Sequence, residues 1–390
     1  MRRGTRLAMW AIVISAGAAA AEAQADKPVS PREIDELRKK IDAETRSTLE
    51  LLFGAYGENG DLNNRLDLIR YGARLELKRR SGRTASIVAT RSEYATPQDL
   101  LQAHATRVAV GLQSAPAEKF GRHVEVGLTR FSTGSTTVEG LASAGMHPVA
   151  AARLSLDAAR TGVEESLLSA AGVRPVLGPF AGALVGRVME NRAGFRGDWR
   201  LPHRLDLYGE GSVGNRQGPN VPSNFFKRAL GGVGFNAITA DEKRKLSFLR
   251  ASASVFYFGF ADDRLGYGGG SLLDHAYEPV PVDRLGSDGI PPEASDLGPA
   301  VGGYFSPRRF VSATGRIDAR GRLAPSVDYS AYVFLGRQTY TGVEPRLAAG
   351  ARGQLVLRLG ERLSAPLTVS WEDFGPFTRY HALASLMVGL

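Results

Sequence analysis

From about Leu49 to Leu390 the side chains repeatedly alternate with a period of two. At 107–113, Val108, Val110 and Leu112 interleave with Arg107, Ala109, Gly111 and Gln113. At 123–129, Val124, Val126 and Leu128 interleave with His123, Glu125, Gly127 and Thr129. Over 327–338, Val327, Tyr329, Ala331, Val333 and Leu335 face away from Asp328, Ser330, Tyr332, Phe334 and Gln338. Successive strand residues point to opposite faces, so this pattern describes strands with one apolar face and one polar or small face. Comparable segments lie at 62–78, 83–92, 149–159, 176–190, 204–214, 228–238, 246–261, 308–319, 350–359 and 363–373. Turn signals such as Asn59-Gly60, Ser81-Gly82 and Gly375-Pro376 fall between many of them.

Two architectures fit: a soluble sandwich and a transmembrane barrel. The barrel explains more. Its strands need about 9–11 alternating residues, and its polar face lines a lumen. A sandwich would bury its apolar faces in one shared core, usually on shorter strands. Closure also satisfies the edge groups that lipid cannot. The expected fold is therefore all-β, a transmembrane antiparallel outer-membrane β-barrel over 49–390, with about 16 strands and 18 also admitted. The last strand should turn Ala382, Ala384, Leu386, Val388 and Leu390 to lipid, with Tyr380 near an interface. It ends in Leu390 rather than the aromatic residue common in such barrels.

The N-terminus fits that location. Arg2, Arg3 and Arg6 precede an apolar run too short to span a bilayer as a helix, and Ala21–Ala23 makes a small-x-small cleavage site. Residues 1–23 read as a signal peptide with Gln24 first in the mature chain. Residues 24–48 read as a periplasmic lead-in, with helical character at 31–46 behind the cap Ser30 and Pro31. There is no cysteine, so disulfides and thiolate metal sites are excluded. The formal charge of +9 fits either a solvated basic surface or an electropositive surface or pore that attracts anions. The longest irregular stretch, about 262–303, reads as an extracellular loop that folds over or into the mouth.

Parity then names the channel candidates. The polar face of 204–214 carries Arg204, Asp206, Tyr208, Glu210 and Ser212. Tyr208, Glu210, Asp328, Tyr332, Phe334 and Gln338 are the residues expected to meet a chain in the lumen, by ring stacking and hydrogen bonds to sugar hydroxyls. The plainer reading of each is a member of a hydrogen-bonded ladder on a wet barrel wall. A hydrolase is the rival class, but its base and nucleophile are hard to find. His104, His123, His147, His203, His275 and His381 are scattered, and no Gly-x-Ser-x-Gly elbow is present. Glu164, Glu165 and Ser166 read better as the start of a short helical segment inside or beside the lumen. No catalytic residue, metal or cofactor is expected.

Residues 302–312 read GGYFSPRRFVS, in which Tyr304 and Phe305 sit on a glycine- and proline-shaped connection. The stretch Gly302, Gly303, Tyr304, Phe305, Ser306 and Pro307 resembles a signature of the C-terminal barrel of the bacterial cellulose synthase outer-membrane subunit, cellulose synthase operon protein C. RTGVEESLLSAAG (Arg160–Gly172) and GPNVPSNFFKRALGGVGF (Gly218–Phe235) resemble two further segments of that family, in its order. The resemblance covers about 49–390. It implies an outer-membrane pore that exports a β-glucan, cellulose or a relative, from periplasm to cell surface. It also implies a polysaccharide chain in the lumen and a periplasmic partner. The family's tetratricopeptide repeats are missing here, so the scaffold or synthase complex must be a separate protein or absent, and a different exopolysaccharide fits as well as cellulose. A general diffusion porin for small solutes stays open beside it. Nucleic acid is not an expected partner. The rings of Tyr304 and Phe305 are expected either to plug against the wall or to meet the chain at the channel mouth, and Arg308 and Arg309 either to pair with acidic loop residues or to draw anions in.

Overall fold

In a computed structural model, the described residues are 46–390 without 61–65, 80, 96–101, 116–119, 175–180, 240–244, 263–303, 341–342 and 375–376. The expected signal peptide, nearly all of the lead-in and nearly all of the long loop lie outside them, as do Gly302 and Gly303.

Sixteen strands close into one antiparallel barrel: β1 (Thr48–Gly60), β2 (Leu66–Lys78), β3 (Thr84–Ala95), β4 (Gln102–Gln113), β5 (Phe120–Phe131), β6 (Thr136–Val149), β7 (Ala152–Gly162), β8 (Met189–Arg200), β9 (Leu205–Gly218), β10 (Val221–Ile238), β11 (Phe248–Phe260), β12 (Phe310–Ala324), β13 (Val327–Tyr340), β14 (Val343–Arg358), β15 (Leu363–Asp373) and β16 (Phe377–Gly389). Each strand pairs with its sequence neighbours, and β16 returns to β1 with Leu386 opposite Leu51 and Ala382 opposite Ala55. No strand edge is left open, which is the condition for strands to cross a membrane.

The alternation decides which face is which. Val110 is 57% exposed and Leu112 67%, and Val124, Val126, Leu128, Leu207, Val333, Leu335 and Val369 share that outward face. So large a continuous apolar surface is incompatible with water and matches a hydrocarbon slab. On β16 the residues facing outward are Tyr380, Ala382, Ala384, Leu386 and Val388, by their pairing with outward Phe53, Leu51 and Leu49 on β1. The inward faces carry the charge, in pairs such as Arg107 with Glu125 (2.6 Å) and Glu139 (2.8 Å).

The sequence pattern errs at 176–190, read as a strand. The strand there is β8, which starts at Met189. The segment before it leaves the wall after β7 and carries a single-turn helix, α1 (Leu167–Ala170). Its apolar periodicity comes from packing on two sides: Val185 and Val188 are fully buried. Both clusters of buried apolar residues include it. One joins Leu167, Leu168, Val173 and Val185 to the inner faces of β2 to β5. The other joins Val163 and Val188 to aromatic rings on β10 to β13. The barrel's core is therefore inside its lumen, at the end opposite the chain's β1 and β16 termini.

Candidate lumen site

The described residues 163–174 and 181–188 fold inward because local capping and two glycines with positive φ, Gly172 and Gly186, allow a tight crossing. The Ser166 side chain accepts from the Ser169 N–H at 3.1 Å, and Ser169 Oγ accepts from the Ser166 N–H at 2.9 Å, so one turn of helix closes on itself. Gly186 has φ of +90°, and a Cβ there would meet the Leu168 carbonyl oxygen at 2.1 Å. The returning strand donates from Arg187 N–H to the Leu168 carbonyl at 2.8 Å and from Val188 N–H to the Ser169 carbonyl at 2.7 Å.

Two adjacent carboxylates fasten this insertion to opposed walls. Glu164 accepts from Arg70 on β2 at 2.5 Å and from the Tyr94 hydroxyl on β3 at 3.3 Å. Glu165 lies 2.9 Å from Nη1 of Arg216 on β9, as an ion pair without hydrogen-bond alignment, and accepts the Phe305 N–H at 2.7 Å. Arg216 is 5% exposed and also binds Glu190 at 2.9 Å; Arg228 completes that group at 2.6 Å from Glu190. The Arg216 guanidinium lies 4.9 Å from the Tyr304 ring centre and 5.3 Å from that of Phe260. Nearby, Arg379 on β16 donates to Glu58 on β1 at 2.8 Å, and Glu58 accepts from Tyr56.

The stretch around Tyr304 takes the first of its two expected geometries. Tyr304 and Phe305 are buried and pack edge-on or tilted against Phe258, Phe260, Phe310 and Tyr340. Ser306 is fully buried. The segment from Gly218 reaches the same place. A Cβ on Gly218 would meet the Gly186 carbonyl oxygen at 2.4 Å, Asn220 donates to the Leu184 carbonyl at 2.8 Å, and the Asn224 side chain pairs with the Asp262 backbone at 3.0 and 3.1 Å. All three motif stretches quoted from the sequence thus converge on one inserted element. Sequence reading placed the helix and missed the latch. Its signal is two consecutive glutamates, ahead of a capping serine, in a stretch that lacks strand alternation.

The channel candidates all point inward, by register on β9 and β13. Their surroundings differ. Tyr208 lies under Arg250, 5.1 Å from ring centre to guanidinium. Glu210 lines a recess of about 250 Å³ with Asp157, Arg192, Arg196, Ser212 and Arg228. Asp328 binds Arg322 at 3.0 Å and also Arg358. The Tyr332 hydroxyl donates to Glu372 at 3.4 Å, and Arg316 covers its ring at 3.7 Å. Phe334 packs against Phe374, and Gln338, 1% exposed, donates to the Phe374 carbonyl. Gln338 is thus held in the wall and Tyr332 in the open lumen, although one parity rule selected both. Among the described residues no group of His, Asp and Glu side chains is arranged to hold a metal ion.

The family model described as Cellulose synthase operon protein C C-terminus matches residues 61–271. Among solved structures, a bacterial polysaccharide outer membrane secretin aligns with a TM-score of 0.60 at 9% identity, over 89% of this chain and 99% of that one. CdiB from Acinetobacter baumannii aligns with a TM-score of 0.41 at 9% identity, over 86% of this chain and 60% of that one. OccK5 (OpdH) from Pseudomonas aeruginosa gives 0.39 at 8% identity, over 88% and 98%. No curated protein matches the sequence. At 9% identity the first likeness establishes the fold alone, a closed barrel of the outer-membrane kind.

Proposed function

Since the chain belongs to the family of the cellulose synthase operon protein C C-terminus, we propose that it is an outer-membrane pore through which an exopolysaccharide, either cellulose or a related β-glucan or a different polymer, leaves the periplasm. The family match over 61–271 is the observation that carries this reading. The barrel geometry supports it: a charged lumen, an apolar outer belt, and an insertion fixed across the channel by ion pairs that a passing chain would have to displace. The transport is passive and non-enzymatic, with energy supplied by synthesis on the inner side. β7 and β11, the strands that lead into the two longest connections, both finish at the end away from the termini, which supports reading that end as the outside of the cell. A separate periplasmic scaffold or synthase complex delivers the polymer.

Deleting the gene should abolish surface polysaccharide while leaving polymerase activity in the inner membrane unchanged. The paired charges that ring the lumen favour one other reading, a diffusion porin for small solutes. A deletion strain with normal surface polysaccharide and slowed small-solute uptake would establish that alternative.

A further inference from the structure

Inside the barrel and away from the latch, β11 to β14 enclose a recess of about 360 Å³. Four arginines line it, Arg250, Arg316, Arg320 and Arg352, against one carboxylate, Asp318. Two of the four are neutralised: Arg250 lies 3.3 Å from Asp206, and Arg316 lies 2.5 Å from Asp318. Among the described residues, Arg320 and Arg352 have no carboxylate partner. The aromatic faces here are not bare. Arg316 covers Tyr332 at 3.7 Å and Arg320 covers Phe248 at 4.2 Å, so guanidinium groups occupy the positions where a sugar ring would stack. What the recess presents to a chain is therefore hydrogen-bond donors in charged forks. Such forks match carboxylate or phosphate oxygens in two parallel bonds and match neutral hydroxyls poorly.

We infer that the exported polymer is anionic, bearing uronate or other acidic groups along its length, and that Arg320 and Arg352 are its contacts in the lumen. This rests on the export reading and narrows it. Two uncompensated charges in a wet channel hold each acidic group weakly and let the next replace it, as sliding requires.

Calorimetry on the full chain in detergent micelles tests the inference with three probes: hexagalacturonate, cellohexaose and monomeric galacturonate. Hexagalacturonate should bind at least about tenfold more tightly than cellohexaose and weaken as salt rises. Arg320→Gln with Arg352→Gln should cut that affinity about tenfold, while lysine at both positions should restore only part of it, since a point charge cannot make the two parallel bonds. Heat-modifiable migration of each variant on gels verifies that the barrel has closed. Cellohexaose binding as tightly as hexagalacturonate, an unchanged affinity in the double glutamine variant, or galacturonate binding as tightly as the hexamer would each overturn the inference. The deletion strain separates this from the broader reading: lost surface polysaccharide with a neutral-sugar preference leaves the pore in place and removes only the acidic cargo.

Discussion

Arg216 meets Glu165 and Glu190 at 2.9 Å each and lies between the rings of Tyr304 and Phe260. Removing it strands two carboxylates in a site that water barely reaches. Arg216→Met should therefore destabilise the barrel by about 3–5 kcal/mol, the usual result of breaking one side of a buried pair. The fall in the temperature at which the folded band disappears on gels measures it. Arg91 and Glu93 form a shorter pair, 2.5 Å, on the outward face near the end of β3, with side chains 43% and 40% exposed. Arg91→Ala should leave that temperature unchanged, because solvent and mobility cancel most of an exposed pair's attraction. A similar loss in both variants would show that burial of the latch is not what makes it strong.

At the scale of single elements, β16 and the insertion carry separate expectations. Leu386 faces outward opposite Leu51, so Leu386→Arg should cost about 2–4 kcal/mol if it sits near the bilayer midplane. Urea unfolding in lipid vesicles reads that directly. Gly186→Ala should displace the insertion without opening the wall, since the new methyl meets the Leu168 carbonyl oxygen at 2.1 Å, backbone that cannot swing aside as the Leu168 side chain can. Single-channel conductance should rise in that variant while its migration on gels stays normal. The strands were legible where their two faces differ in polarity, as at 327–338 and 379–390. β6 was not, because Gly140, Ala142, Ala144 and Gly145 give little contrast between its faces. The run at 176–190 misled because a segment packed on both sides inside a lumen repeats its apolar residues much as a strand does. Inward parity for Tyr332 and Gln338 was equally readable. Their different exposure was not, since it depends on Phe374 reaching across from the connection between β15 and β16.

For the molecule as a whole, closure and passage are the two properties that matter. Deleting β16 should prevent assembly altogether, because the edges of β1 and β15 would both be left unpaired in lipid. A truncated chain that still gave a heat-modifiable band would contradict the closure seen here. Passage is tested most directly by photo-crosslinking in cells that are actively secreting polymer. A benzophenone amino acid replaces Tyr332, which faces the lumen, or its neighbour Val333, which is 53% exposed on the outer wall. The expected result is a carbohydrate adduct at 332 and none at 333, dependent on ongoing synthesis. Secretion at the normal rate with no adduct at 332, or with equal adducts at both positions, would mean that the polysaccharide does not travel through this barrel.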